Sequence, residues 1–258
     1  MPRLPRLDLA GTPQLVLQRG LPGRPLFRCA TDFRQYLDEL QTTSRAYGCE
    51  VHAYALLPRE SRLLLTSHDR GAMPRMMQAL GRRFAYYVNE RDASSGSCWG
   101  GRYRSCPVGG STHVLLASAY VERSPIRAGI IANPAAYHWS SYACNALGIP
   151  NPVVRQPKPY FALSDDTSER RARYREIQYQ LPNGEDILMH VLQGRAWGDA
   201  RFLRQVARMF GDRGAAKPQG RPRKPKPGLG SISHFFMTLS PFLLTRVVDS
   251  VHTLNTVT

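Results

Sequence analysis

Glu60 and Arg62 stand two residues apart, between the apolar run that ends at Leu57 and the apolar run Leu63 to Leu65. Opposite charges at the mouth of an apolar strand are out of place unless they do chemistry. A carboxylate at Glu60 could ligate a hard ion such as Mg²⁺ or Mn²⁺. Arg62 cannot ligate, because its guanidinium stays protonated, but it could hold a phosphate oxygen as a fixed cation. Further along, Tyr120 lies four residues before Ser124, one helical turn away on the same face. Taken alone, Tyr120 is an ordinary half-buried helix tyrosine. His52, His68 and His113 are not spaced at i, i+2 and read as structural or exposed. The five cysteines have no C-x-x-C spacing, which argues against a zinc site or a disulfide framework and fits a reducing cytosol.

The charge is lopsided. Thirty-five Lys and Arg face 19 Asp and Glu, for a net charge of +16, which points to a polyanionic partner, most often nucleic acid. Nearly all the basic residues are Arg, suited to bidentate phosphate contacts. The clearest basic segment is GRPRKP at 220–225. Its Arg221, Arg223 and Lys224, bracketed by prolines, resemble an AT-hook that lies in a narrow minor groove. The bland alternative is a solvated basic tail drawn to any polyanion. The start, MPRLPRLDLAG, lacks the apolar core of a signal peptide. The longest late apolar stretch has a proline inside it and falls short of the ~20 residues a bilayer requires. A soluble, cytoplasmic protein is expected.

Elements must place these residues. Residues 14–18 suit a strand. Residues 31–47 suit a helix opened by Thr31 or Asp32 and closed by Gly48. Residues 50–57 alternate as a strand, with Val51, Ala53, Ala55 and Leu57 on one face. Residues 62–66 form its partner through a turn at Pro58 to Ser61. Residues 72–91 carry an apolar stripe of Met73, Met76, Met77, Leu80, Phe84, Tyr87 and Val88 at helical spacing. Residues 102–108 suit a short basic strand, Ser111 or Thr112 caps a helix to about 123, and Ser124-Pro125 starts another. The order β-α-β-β-α-β predicts an α+β domain of ferredoxin-like type, an antiparallel sheet with helices on one face. It spans residues 1–149. A Pro-rich linker at 150–164 follows, then a helical extension at 165–212, a basic AT-hook-like tail at 213–230, and a stretch at 231–258 with no assigned role.

Several segments together resemble one family, the REP-associated tyrosine transposases of the HUH single-strand transposase superfamily. They are PRLPRLDLAGTPQLVLQRG, GCEVHAYALLP with RLLLTS, ALGRRFAYYVNERDASSG, WGGRYRS, YVERSPIRAGII and NPAAYHWSSY, in the family's order over residues 1–148. The resemblance implies a bacterial, nucleoid-associated protein whose tyrosine attacks single-stranded DNA, leaving a 5′-phosphotyrosine and a free 3′-OH during DNA transposition and recombination. By its position before the S-P-x-R-A-G segment, Tyr120 matches that nucleophile. A phenol with a pKa of about 10 is a poor nucleophile near neutral pH. The family therefore uses Mg²⁺ or Mn²⁺, held by a His-hydrophobic-His pair on a strand and by a polar residue, usually Asn, one turn after the tyrosine. Here Glu60 and Arg62 stand at the two histidine positions and Ser124 at the third.

Three readings follow: DNA binding with the chemistry lost, an altered strand transferase working through Glu60, Arg62 and Tyr120, or a decaying coding sequence. The non-catalytic alternative is a DNA-binding regulator or a domesticated remnant, and an RNA-binding module is a further one. The implied partner is single-stranded or hairpin DNA such as a REP hairpin, with no membrane role and the oligomeric state open. Candidate DNA contacts are Arg19, Arg75, Arg82, Arg83, Arg102, Arg104 and Arg127, together with the tail residues Arg221, Arg223 and Lys224. Tyr86, Tyr87, Trp99 and Tyr103 could stack on unpaired bases, or simply belong to the core.

Overall fold

The computed structural model describes residues 6–180 and 184–211. Strand β1 (Gln14–Arg19) lies inside a sheet of order β2-β3-β1-β4-β5. Its antiparallel neighbours are β3 (Glu60–Ser67) and β4 (Arg104–Gly109). Strand β2 (Cys49–Leu57) pairs antiparallel with β3 across the Pro58-Arg59 turn. The first four strands thus have the expected ferredoxin-like order. A short β5 (Trp197–Gly198), not foreseen from the sequence, adds in parallel to β4 and makes the sheet mixed.

Helices α1 (Ala30–Ala46) and α2 (Ala72–Asp92) cover one face. The stripe of α2 is buried as its periodicity predicts, with Met73, Met76, Leu80 and Phe84 fully inside. Helix α1 begins one residue earlier than expected. Asp32 caps it from the third position, accepting the backbone N–H of Arg28 (2.6 Å) and of Cys29 (3.2 Å).

Helices on one face is where the expectation differs from the structure. The strands are apolar on both sides, so both sides must be covered. Val16, Leu63, Leu65, Tyr54 and Leu56 pack against α1 and α2. Leu15, Leu17, Ala53, Ala55, Leu57 and Leu64 pack against α3 (Ser111–Glu122) and α8 (Glu185–Gln193). A β-bulge between Val51 and Ala53 shifts the register, so Val51 does not share a face with Ala53, Ala55 and Leu57.

After α3 come a short α4 (Ser124–Arg127), α5 (Tyr142–Leu147) and α6 (Lys158–Phe161). The segment composed like a linker is packed rather than free. Val153 and Val154 are buried, and Arg155 donates its backbone N–H to Val51 O (2.8 Å). The free edge of β2 offers those backbone groups, and the segment satisfies them. Helix α7 (Thr167–Gln180) is tied to α3 through Glu122, which is fully buried. Its carboxylate accepts from Ser141 Oγ (2.6 Å), Asn145 Nδ2 (2.7 Å), Tyr174 Oη (2.8 Å) and Gln178 Nε2 (2.8 Å). Helix α9 (Ala200–Phe210) starts at Asp199, whose side chain accepts the Phe202 N–H. No helix among the described residues is long and apolar enough to cross a membrane. The basic stretch 213–230, with Arg221, Arg223 and Lys224, and the stretch 231–258 lie outside the described residues.

Candidate functional site

Strand alternation builds the site. Ser61 points to the α1 face and accepts a hydrogen bond from Tyr36 Oη (2.9 Å). Glu60 and Arg62 therefore point to the α3 face, beside Arg19 and Leu17 of β1 in register. Arg62 grips Glu60 Oε1 with two nitrogens, Nε at 2.7 Å and NH2 at 2.6 Å. Arg19 Nε holds the other oxygen, Oε2, at 3.1 Å. The Glu60 and Arg62 side chains are each only 14% exposed. Their charges are tolerable at the head of an apolar strand because they neutralise each other there.

Tyr120 faces this pair from α3 and is 3% exposed. Two guanidinium groups flank its ring, with Arg127 Cζ at 4.0 Å and Arg62 Cζ at 5.3 Å from the ring centroid. Arg62 thus lies between Glu60 and Tyr120. The ring is closed in from another side by Gly184, ahead of α8. A Cβ at Gly184 would sit 2.7 Å from the Tyr120 ring, so only glycine permits this approach.

Ser124 is buried and its hydroxyl is already used. It donates to Tyr120 O (3.1 Å) and accepts from Arg127 NH2 (3.1 Å). Arg127 donates to Tyr120 O as well. The residue is exposed as a whole, but its guanidinium lies against the ring. That burial pulls its pKa down to about 10; the Tyr120 phenol and Glu60 oppose the shift, while Arg62 and Arg123 add to it. Arg127 remains a cation at neutral pH.

These donors do not fit a divalent ion. Among the described residues no three His, Cys, Asp or Glu side chains gather to hold a metal. Glu60 is a single carboxylate with both oxygens on guanidinium groups, and Arg19, Arg62 and Arg127 outnumber it in charge. Mg²⁺ and Mn²⁺ seek several oxygen ligands and a negative site. The three histidines considered from the sequence are elsewhere. His52 bonds Arg155 O (2.6 Å) and Thr66 Oγ1 (2.8 Å), His68 meets Glu50 (3.5 Å), and His113 packs edge-on against Trp197.

The other basic candidates divide between the two faces. Arg19, Arg102 and Arg104 line a cleft at the open end of β1 and β4. Arg75, Arg82 and Arg83 lie on α2, and Arg83 is paired with Glu39. Of the aromatic candidates, Tyr86 is exposed, Tyr87 donates to Asp32 (2.7 Å), and Trp99 and Tyr103 are buried. Sequence reasoning missed α8 and Gly184. The signal was there in ILMHVL (187–192), an apolar stretch bounded by Gly184 and Gly194.

The first four strands and their helices define a ferredoxin-like α+β fold. No family model matches the chain, and no curated protein matches it. Among solved structures, a REP-associated tyrosine transposase bound to a REP hairpin aligns with a TM-score of 0.50 at 12% identity. The alignment covers 65% of this chain and 96% of that one. A crystal structure provisionally assigned as a transposase, from Deinococcus radiodurans R1, aligns with a TM-score of 0.32 at 17% identity, over 50% of this chain and 92% of that one. The chain has the fold of a REP-associated tyrosine transposase.

Proposed function

We propose that this chain is a DNA-binding protein of the REP-associated tyrosine transposase type, in which an arginine-lined ion pair has replaced the metal centre. It binds hairpin or single-stranded DNA and does not carry out metal-dependent strand cleavage through Tyr120. The observation that carries this reading is the 2.6 Å pair of Glu60 and Arg62 beside the buried Tyr120. A tyrosine needs its phosphate held and polarised to attack it. Here the carboxylate that could bind a metal is committed to two guanidinium groups, and the serine at the third position is committed to the helix backbone. What remains is cationic: Arg19, Arg62, Arg104 and Arg127 can hold a phosphate backbone. The net charge of +16 supports the same partner.

The test is binding of a labelled hairpin with a single-stranded flank, followed by fluorescence anisotropy as salt is raised from about 50 to 200 mM. Affinity should fall steeply, with a log–log slope of about −0.7 for each phosphate neutralised on a single strand. Absent or salt-insensitive binding would overturn the reading.

A further inference from the structure

Helix α9 carries two characters on opposite sides. At about 100° per residue, Phe202, Leu203, Val206 and Phe210 fall on one side and Arg201, Arg204 and Arg208 on the other. The apolar side is covered. Val206 is fully buried with Leu7 and Ala196, and Phe202, Leu203 and Phe210 pack against that cluster. The start of the helix is fixed to the sheet. Asp199 donates its backbone N–H to Gly109 O (3.2 Å), and the Phe202 ring lies so close to Gly109 that a Cβ there would collide with it. The arginine side is thus presented on a firmly docked helix.

All three arginines are exposed and, among the described residues, have no hydrogen bond or ion pair. Helix α7 is the contrast. There Arg170 donates to Ser164 O (2.8 Å), Arg173 pairs with Glu169 (2.6 Å) and Arg175 donates to Ala146 O (2.8 Å). Helix α9 has no acidic residue along its length. Arg201 stands in the first turn, at the positive end of the helix dipole. Arg204 and Arg208 are like charges one turn apart. Each placement works against the helix alone and is relieved by anions along the ridge.

The shape of the ridge selects the partner. A membrane surface requires the apolar side, which is already buried. A small anion requires donors converging in a pocket, whereas these arginines form a line about 10 Å long at 1.5 Å rise per residue. A single strand stacks its bases on aromatic rings, and Phe202 and Phe210 are packed inward. Double-stranded DNA presents one phosphate charge per ~1.7 Å of its axis, twice the density of one strand, and can be held by backbone contacts alone. We propose that the exposed side of α9 is a docking ridge for double-stranded DNA, in which Arg201, Arg204 and Arg208 hold phosphates without reading sequence. The proposal rests on the DNA-binding reading and adds a surface outside the Glu60, Arg62 and Tyr120 site.

The experiment uses the full chain and a labelled blunt duplex of arbitrary sequence, with anisotropy followed as salt is raised. Arg201→Gln with Arg204→Gln and Arg208→Gln places a good helix former at each position. Its log–log salt slope should be shallower than that of wild type by about 2.7, at about 0.9 for each arginine on a phosphate. A control triple, Arg34→Gln with Arg45→Gln and Arg70→Gln, removes the same charge from other exposed positions. It should change the slope by less than about 0.9, one phosphate's share. Thermal melts establish that both fold, and Arg204→Gln alone, expected to lower the slope by about 0.9, replaces the triple if that does not. A folded α9 variant with the wild-type slope, or a control that loses as much, would overturn the proposal. So would binding to phosphatidylserine vesicles that the α9 variant loses while its duplex slope is unchanged. Wild type that binds the flanked hairpin but no duplex would overturn it and spare the DNA-binding reading. No binding of either DNA would overturn both.

Discussion

The two faces of the sheet treat their polar residues differently. On the α3 face, both Glu60 oxygens are held by arginines, the Ser124 hydroxyl by the helix and Arg127, and the buried Glu122 carboxylate by four donors, while Asn145 Oδ1 and Gln178 Oε1 beside it have no partner among the described residues. On the α2 face, Gln18 Oε1 and Tyr103 Oη are buried with no partner among the described residues. Buried polar atoms are costly unless paired. A network that pairs them internally contributes rigidity. By that criterion the site of Glu60, Arg62 and Tyr120 is closed.

The strongest way to break the comparison is at Glu122. Glu122→Leu would leave four buried donors without an acceptor, and we expect a loss of about 3–5 kcal/mol in chemical denaturation. Gln18→Leu, on the other face, should be neutral or slightly stabilising, because it removes an unmatched polar atom. A large loss at Gln18 would mean that the two faces are alike.

Glu122 also carries a pH signature. Burial raises its pKa, and the hydrogen bonds from Ser141, Tyr174, Asn145 and Gln178 oppose the rise only in part. The folded state therefore holds this proton more tightly than the unfolded state. Its stabilising contribution is fully present below the unfolded value of about 4.3 and is lost as pH rises through the raised folded value. The stability of wild type relative to Glu122→Gln should accordingly fall as pH rises through that window, measured by urea melts at a series of pH values.

At the Glu60–Arg62 pair, Glu60→His with Arg62→His removes the ion pair and sets two imidazoles on alternate positions of one strand face. We expect this variant to bind Mn²⁺ in calorimetry and wild type to show no comparable binding. The smallest effect is at Arg19, whose side chain is 54% exposed. Arg19→Ala should cost less than about 1 kcal/mol of stability. It should still lower the salt slope of single-strand binding by about 0.7 if Arg19 meets a phosphate.

Much of this architecture was legible in the sequence, for identifiable reasons. The α2 stripe repeats at helical spacing from Met73 to Val88, about four turns, and β3 is a short apolar run after a proline turn, so both were readable locally. Glu60 and Arg62 could be placed on one face by alternation alone. Their mutual grip could not, because it depends on side-chain rotamers, which alternation does not fix. The second helical layer was hidden because α3 is apolar almost all round: Val114, Leu115, Ala117, Ala119, Tyr120 and Val121 are all buried. Such a helix shows no stripe to reveal which side meets the sheet. The bulge at Val51 and Ala53 leaves no compositional trace. Nor does the packing of the Pro-rich segment, which follows from the exposed edge of β2 rather than from its own residues.

The most direct measurement of the central claim is a covalent-trapping assay. Labelled flanked hairpin is incubated with the protein in Mg²⁺ and, separately, in Mn²⁺, and resolved under denaturing conditions, with DNA binding verified in the same buffers. A site closed by Glu60 and Arg62 predicts DNA bound and no covalent adduct in either metal. An adduct that forms with wild type and disappears in Tyr120→Phe would contradict it.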